Sequence, residues 1–357
     1  MKKTISILFI LFITSIMLIG IIIPDKAISF SERRRLDEFP VFSVEDLLSG
    51  DYMESVESYL LDHMPFRDMF KSIKVAIETN VFGKSDINDM YLVDDHLIKI
   101  EYPYNQQMGL RFVEYITQIQ EKYLNDNDVY VSIIPDKNYF GSDNSLKLDY
   151  DKLVNDVKTG DYSYIDLFNV LKLDSYYKTD PHWKQENLEP VLEILSNEMG
   201  FSLPYSFKEY EAISYKDFYG AYAGQSSINV NPENLTYLVH SLFDNVDVIN
   251  YETNEEIDVY NKLHLEGIDP YDIFLGGASP LIKITNNDSK SDKELIIFRD
   301  SFSSSLAPLL IGSYKTITLV DTRYVPYDYL GEFIDFSDQD VLFLYSTLVV
   351  NNSVMLR

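Results

Sequence analysis

The chain has 357 residues, enough for one large domain or two modest ones. Its 46% hydrophobic and 24% charged residues exclude a largely disordered chain, and 30 Lys and Arg against 57 Asp and Glu (net charge −27) exclude a nucleic-acid partner, which needs clustered cations. With no cysteine, disulfides, thiolate catalysis and thiolate metal sites are excluded as well.

The amino terminus begins Met1-Lys2-Lys3, followed by the uncharged run Thr4 to Ile23. Twenty such residues suffice to span a bilayer as a helix, and no small-x-small cleavage site follows. The expectation is an uncleaved signal anchor over residues 1–24. Lys26 and Arg33 to Arg35 outnumber Lys2 and Lys3 and argue the other way on orientation, but a long domain translocates largely regardless of charge. The protein is therefore expected at the cell membrane, single-pass, with its bulk extracellular. Residues 25–80 read as a stalk and helical segment: Pro24, Pro40, a charged stretch from Ser31 to Glu38 and Gly50 mark a stalk over residues 24–50, and Met53, Val56, Tyr59 and Leu60, then Phe70, Ile73 and Ile77 after Pro65, recur at helical spacing.

Residues 81–357 form the expected main domain. Met90 to Ile100 predicts a strand pair turning at Asp94-Asp95, and Gln106 to Tyr123 an amphipathic helix with Leu110, Val113, Ile116, Ile119 and Tyr123 on one face. Val129 to Ile134 is a buried strand ended by Pro135. Leu146 to Asn155 and Tyr162 to Leu173 read as helical or mixed, and Asn187 to Met199 as a helix stopped by Gly200. Tyr237 to Asp244 resembles strand and surface loop. Leu281 to Thr285, Leu295 to Phe298, Thr316 to Leu319 and Val341 to Leu344 are predicted strands. Strands alternating with helices predict an α/β layer fold with a mostly parallel sheet.

Two segments carry candidate chemistry. In Lys178-Thr179-Asp180-Pro181-His182-Trp183, the aspartate and histidine lie two apart, so both project to one side of an extended segment. There a carboxylate can accept from imidazole Nδ1–H and leave Nε2 as a base. A turn whose aspartate caps the next helix accounts for the same residues. In Arg299-Asp300-Ser301-Phe302, after the apolar Leu295 to Phe298, a serine sits on a strand-to-helix turn at the carboxyl edge of a sheet, where α/β active sites collect. An ordinary N-cap is the competing account there. Together they supply a nucleophile (Ser301), a base (His182) and its orienting acid (Asp180). Asp94-Asp95-His96 is better explained as a turn than as a metal site, and no metal or cofactor is expected. Tyr215, Tyr219 and Tyr222 flank a glycine-bearing loop, although most of the 28 tyrosines are expected in the core.

The order of motifs resembles the DHHW family of bacterial surface proteins: Glu32-x-Arg34-x-Leu36 with Phe39-Pro40, Asp62-x-x-Pro65-Phe66-Arg67-Asp68, Pro135-Asp136-Lys137, then the Asp180-His182 and Asp300-Ser301 segments. These proteins are similar to the SGNH-hydrolase-like proteins of alginate O-acetylation. The resemblance implies an SGNH-hydrolase-like, flavodoxin-like three-layer α/β/α ectodomain. It also implies acetyl transfer to an extracellular polysaccharide through a Ser301-His182-Asp180 acyl-enzyme, with acetyl supplied by a multi-pass membrane-bound O-acyltransferase. A carbohydrate acetyl-esterase with the same triad, and a non-catalytic glycan-binding or assembly component, are the alternatives. Two positions depart from the pattern. Pro181 stands where the family name expects histidine, and Arg299 where the acetylation proteins usually have glycine; Arg299 either narrows the oxyanion site, meets an anionic sugar, or points away to a carboxylate. Candidate oxyanion donors are the Ser301 amide and the Tyr219-Gly220 segment, and Trp183 is a candidate substrate contact.

Overall fold

The structure, a computed structural model, describes residues 2–29 and 34–357. Glu32 and Arg33 of the amino-terminal motifs, Ser31 and Met1 lie outside the described residues. The chain divides into two units, residues 1–88 with 223–230 and residues 89–222 with 231–357.

The first unit is mainly helical: α1 (Lys2–Ile22), α2 (Val44–Ser49), α3 (Asp51–Asp62) and α4 (Arg67–Asn80), with a short antiparallel ladder of β1 (Ile28–Ser29) and β2 (Arg34–Arg35). The Ser43 hydroxyl caps α2, and Gly50 ends it at a φ of +97°, a conformation that needs glycine. The predicted periodicity after residue 51 is α3 and α4, broken around Pro65. In α1, Ile5, Leu8, Phe9, Leu11 and Phe12 are exposed. Among the described residues no helix is long and apolar enough to cross a membrane.

Two of the quoted motifs meet in this unit. Arg34 Nη1 donates to Asp62 Oδ2 at 2.8 Å, Nη2 bonds Oδ1, and the Asp37 amide donates to Oδ2 at 2.9 Å. Hydrogen bonding from Arg34 holds the Asp62 carboxyl down at about 2. A carboxyl with a lowered folded pKa contributes stability above its ordinary range, and loses it as pH falls through the folded value. Because Arg34 is more than a third exposed, solvent screening trims the contribution. Asp62→Asn is expected to cost about 1–2 kcal/mol at neutral pH. In urea unfolding the gap from the native protein should close as pH falls from about 4 towards 2; a gap that stays constant would contradict the pairing.

The second unit starts with the hairpin β3 (Met90–Val93) and β4 (His96–Lys99), turning at Asp94-Asp95 as predicted. Next come α5 (Gln106–Tyr123), β5 (Val129–Ile134), α6 (Tyr150–Val157), β6 (Ser163–Asp166) and α7 (Glu189–Met199). A hairpin of β7 (Glu211–Phe218) and β8 (Glu233–Val239) brackets α8 (Ala221–Ser226), which leads into residues 223–230 of the first unit. Then follow β9 (Val246–Asn250), β10 (Glu255–Glu256), β11 (Leu281–Asn286), β12 (Glu294–Arg299), α9 (Ser303–Leu310), β13 (Thr316–Val320), β14 (Asp340–Ser346) and α10 (Thr347–Val350). Eight strands form one sheet in the order β10-β9-β11-β13-β12-β14-β5-β6. The run β13 to β6 is parallel, and β11, β9 and β10 extend it antiparallel.

Alternation along the strands builds two cores. Leu295 and Ile297 of β12 pack with α7 and α9 on one face; Ile296 and Phe298 pack with α5 and α6 on the other. The result is the predicted α/β/α layering with a mostly parallel sheet. Two local expectations need correction. The buried face of α5 is Phe112, Tyr115, Ile116 and Ile119, while Leu110 is exposed, because the aromatic side chains take the positions over the sheet. The stretch Tyr162 to Leu173, read as helical or mixed, contains strand β6, whose four residues are too short to show a period.

Candidate active site

Ser301 follows the carboxyl end of β12, on the turn that starts α9. Asp300 fixes that turn: Oδ1 accepts from the Phe302 amide (3.0 Å) and Oδ2 from the Ser346 amide at the end of β14 (2.8 Å). The helix itself is capped at Phe302 without a side-chain bond, so Asp300 serves the turn that carries the serine and is not the N-cap. The second segment is a tight reversal, in which Tyr176 bridges Trp183 and the Tyr177 amide donates to the His182 carbonyl. Pro181, which has no N–H to donate, sits within the turn between acid and base.

The two segments meet. His182 Nε2 lies 2.8 Å from Ser301 Oγ, and His182 Nδ1 lies 2.6 Å from Asp180 Oδ1. Asp180 is buried, and its carboxylate is surrounded by donors: Oδ1 also accepts from the His182 amide (3.1 Å), and Oδ2 accepts from the Ala221 amide (2.9 Å). An aspartate fixed in this way orients the ring with Nδ1–H toward it and Nε2 toward the hydroxyl. The side chain of His182 is 12% exposed, so the pair is not sealed from solvent.

Trp183 and Phe302, the chain neighbours of His182 and Ser301, join the segments. Trp183 Nε1 donates to the Phe302 carbonyl (2.9 Å) and to Ser305 Oγ (2.9 Å). The Tyr271 hydroxyl also donates to Ser305 Oγ, and its ring lies flat on the His182 imidazole, centroids 3.9 Å apart at 8°. Tyr271 thus backs the base and limits its ring to one plane. Sequence reasoning missed it, since an isolated tyrosine after Pro270 carries no motif.

Three predicted contacts take other roles. Gly220 does not offer its amide to an oxyanion, because that N–H donates to Thr179 Oγ1 at 2.8 Å. Glycine is required there for another reason: a Cβ would lie 2.3 Å from Asp180 Cβ and 2.4 Å from the Thr179 carbonyl, so only glycine lets this loop press against the acid's backbone. Arg299 is fully buried and meets no sugar; Nη1 donates to Ser304 Oγ and Nη2 to the Ser279 carbonyl. It points away as one alternative supposed, but toward a hydroxyl and a carbonyl, since Asp321 is engaged by Arg323. Burial lowers its pKa. Trp183 is also fully buried, which makes it a brace and not a sugar platform. Tyr219, by contrast, is 48% exposed and open to a ligand. Among the described residues the Ser301 amide has no hydrogen-bond partner, which leaves it free for a developing oxyanion.

A groove of about 680 Å³ is lined by Glu294 and Asp340 at the amino ends of β12 and β14, the opposite edge of the sheet from Ser301. It takes no part in this chemistry. Among the described residues no cluster of His, Asp and Glu is arranged to hold a metal ion.

No protein-family model matches the chain, and no curated protein matches it. Solved structures do. A DHHW family protein from Eubacterium siraeum superposes with a TM-score of 0.61 at 18% identity, over 74% of this chain and 92% of that one. Bacillus cereus PatB1 superposes with a TM-score of 0.58 at 19% identity, over 73% and 96%. The O-acetyltransferase domain of Pseudomonas putida AlgJ reaches 0.43 at 11% identity, over 73% and 92%, too loose a likeness to weigh. The chain is thus similar in fold to a DHHW family protein and to PatB1, as the motif order suggests.

Proposed function

We propose that this chain is a serine O-acetyltransferase that acts on a carbohydrate through an acetyl-enzyme on Ser301. The observation that carries the reading is the unbroken hydrogen-bonded series Asp180–His182–Ser301 at the carboxyl edge of the sheet. Ser301 Oγ attacks the acetyl carbonyl carbon of a donor ester while His182 Nε2 takes the hydroxyl proton. The Ser301 amide meets the oxyanion, the donor's C–O bond breaks, and His182 returns the proton to the departing alcohol. A sugar hydroxyl then attacks the acetyl-serine, giving its proton to His182; the serine ester bond breaks and Ser301 regains the proton. Asp180 keeps its charge throughout and stabilises the imidazolium.

Transfer requires that the sugar hydroxyl outcompete water at the acetyl-enzyme. The test is to give the purified protein an activated acetyl ester with and without a neutral oligosaccharide. An acetylated oligosaccharide in the mass spectrum is the expected result. Acetate alone, at a rate indifferent to the sugar, would establish the esterase instead. No turnover, with Ser301 unlabelled by a sulfonyl fluoride, would establish the non-catalytic component.

The same reading places the protein at a membrane through α1, with the second unit outside and acetyl delivered by a membrane-bound O-acyltransferase to act on a cell-surface or secreted polysaccharide. Support for attachment is the uncharged run Thr4 to Ile23 and the exposed apolar side chains of α1.

A further inference from the structure

Lys137 is a buried charge that the proposed acyl transfer does not use. It follows β5 and is 3% exposed. Its ammonium donates to the Tyr177 carbonyl at 2.8 Å, to Lys178 at 3.0 Å and to Asp180 at 3.2 Å. Three N–H donors thus meet three carbonyls of one short segment, and the last of these belongs to the residue that holds His182. The Tyr222 ring lies 5.3 Å from the nitrogen, and among the described residues no carboxylate forms a salt bridge with it. Burying an ammonium without an ion pair is costly, and a mere filler of this space would be apolar.

The rest of the segment is tied as well. The Leu97 amide of β4 donates to the Lys178 carbonyl, Glu233 accepts from the Thr179 amide, and the Tyr222 amide donates to the Thr179 carbonyl. Of these ties, only Lys137 bonds the Asp180 carbonyl itself. We infer that Lys137 is a positioning residue, whose ammonium gathers the Tyr177, Lys178 and Asp180 carbonyls and so sets the Asp180 carboxylate against His182. This rests on the acyl-enzyme reading and deepens it.

The arrangement has a consequence for pH. Burial draws Lys137 down to about 7, opposed by Asp180 and Glu233 and reinforced by Lys184; His96 from β4 and the Tyr222 ring also face it. A neutral amine has only two N–H groups, so one carbonyl is released as pH rises past that value.

The experiment follows the rate at which phenylmethylsulfonyl fluoride labels Ser301 in the full chain, native and Lys137→Met, from mildly acidic pH to about pH 9. The native rate should fall severalfold above neutrality as Lys137 is discharged. Lys137→Met should label about 10- to 100-fold more slowly, the effect of a slightly misplaced catalytic group, and should lack the alkaline fall. A variant that labels within about twofold of native, or keeps the alkaline fall, overturns the assignment. Should Lys137→Met fail to fold, the native profile decides, and a plateau held to high pH overturns it. Native protein that is never labelled sinks the acyl-enzyme reading itself, and this assignment with it, whereas labelled native protein with an indifferent variant sinks this assignment alone.

Discussion

Ser301→Ala should lower kcat/KM for an activated acetyl ester by about 10³- to 10⁶-fold and abolish labelling by sulfonyl fluorides. On the proposed reading the Ser301 hydroxyl forms the covalent intermediate, and it lies 2.8 Å from His182 Nε2. His182→Ala should fall nearly as far, and the double variant no further, because nucleophile and base act as one unit. Stability should change little, since Ser301→Ala removes one hydrogen bond, about 0.5–1.5 kcal/mol, while its backbone stays fixed by Asp300. Steady-state hydrolysis, with thermal unfolding as the control for folding, checks all three variants. Ser301→Ala within tenfold of native would remove the acyl-enzyme from consideration, as would a double variant whose loss is the product of the single ones.

The layer fold was legible because it rests on runs that one kind of patterning decides. Leu295 to Phe298 and Val129 to Ile134 are apolar on both faces, as strands covered by helices must be. The short Ser163–Asp166 strand and the turn of α5 about its axis were not legible: the first has too few residues for a period, and the second depends on which aromatic side chains fill the space above the sheet. At the site, the spacing Asp-x-His and a serine after a strand are local signals, and they locate the three residues the structure brings into contact. What holds them is not local. Tyr271 on His182, Lys137 under Asp180 and Gly220 against Thr179 come from segments tens of residues away, and nothing in their immediate sequence announces the partner. Arg299 shows the converse: a cation next to a serine after a strand suggests a substrate contact, yet it ends a strand buried on both faces and is itself fully buried, bonded to Ser304 Oγ.

Asp180→Asn should be almost as damaging as loss of the serine, about 10⁴-fold in kcat/KM, with the fold retained. The reason lies in the carboxylate's surroundings. One oxygen faces the amide N–H and Nδ1 of His182, and the other faces the Ala221 amide. A carboxylate accepts at both ends, whereas an asparagine accepts at one and donates at the other. If its oxygen faces His182, its NH₂ confronts the Ala221 N–H, donor against donor across a buried contact. If it flips, its NH₂ confronts the His182 amide and requires Nδ1 to accept, which moves the ring proton to Nε2 and leaves no base for Ser301. Neither orientation restores the native array. The first strains the Gly220–Ala221 loop, already pressed on Thr179 and Asp180, and the second keeps the geometry with the wrong tautomer. The two are separable by the ring nitrogen signals of His182 in ¹⁵N NMR, which report whether Nδ1 or Nε2 carries the proton. Native protein should show Nδ1–H, and the variant a shift toward Nε2–H or a lowered unfolding temperature. A variant with native ring signals, native stability and activity within tenfold of native would mean that Asp180 neither orients His182 nor stabilises its charged form.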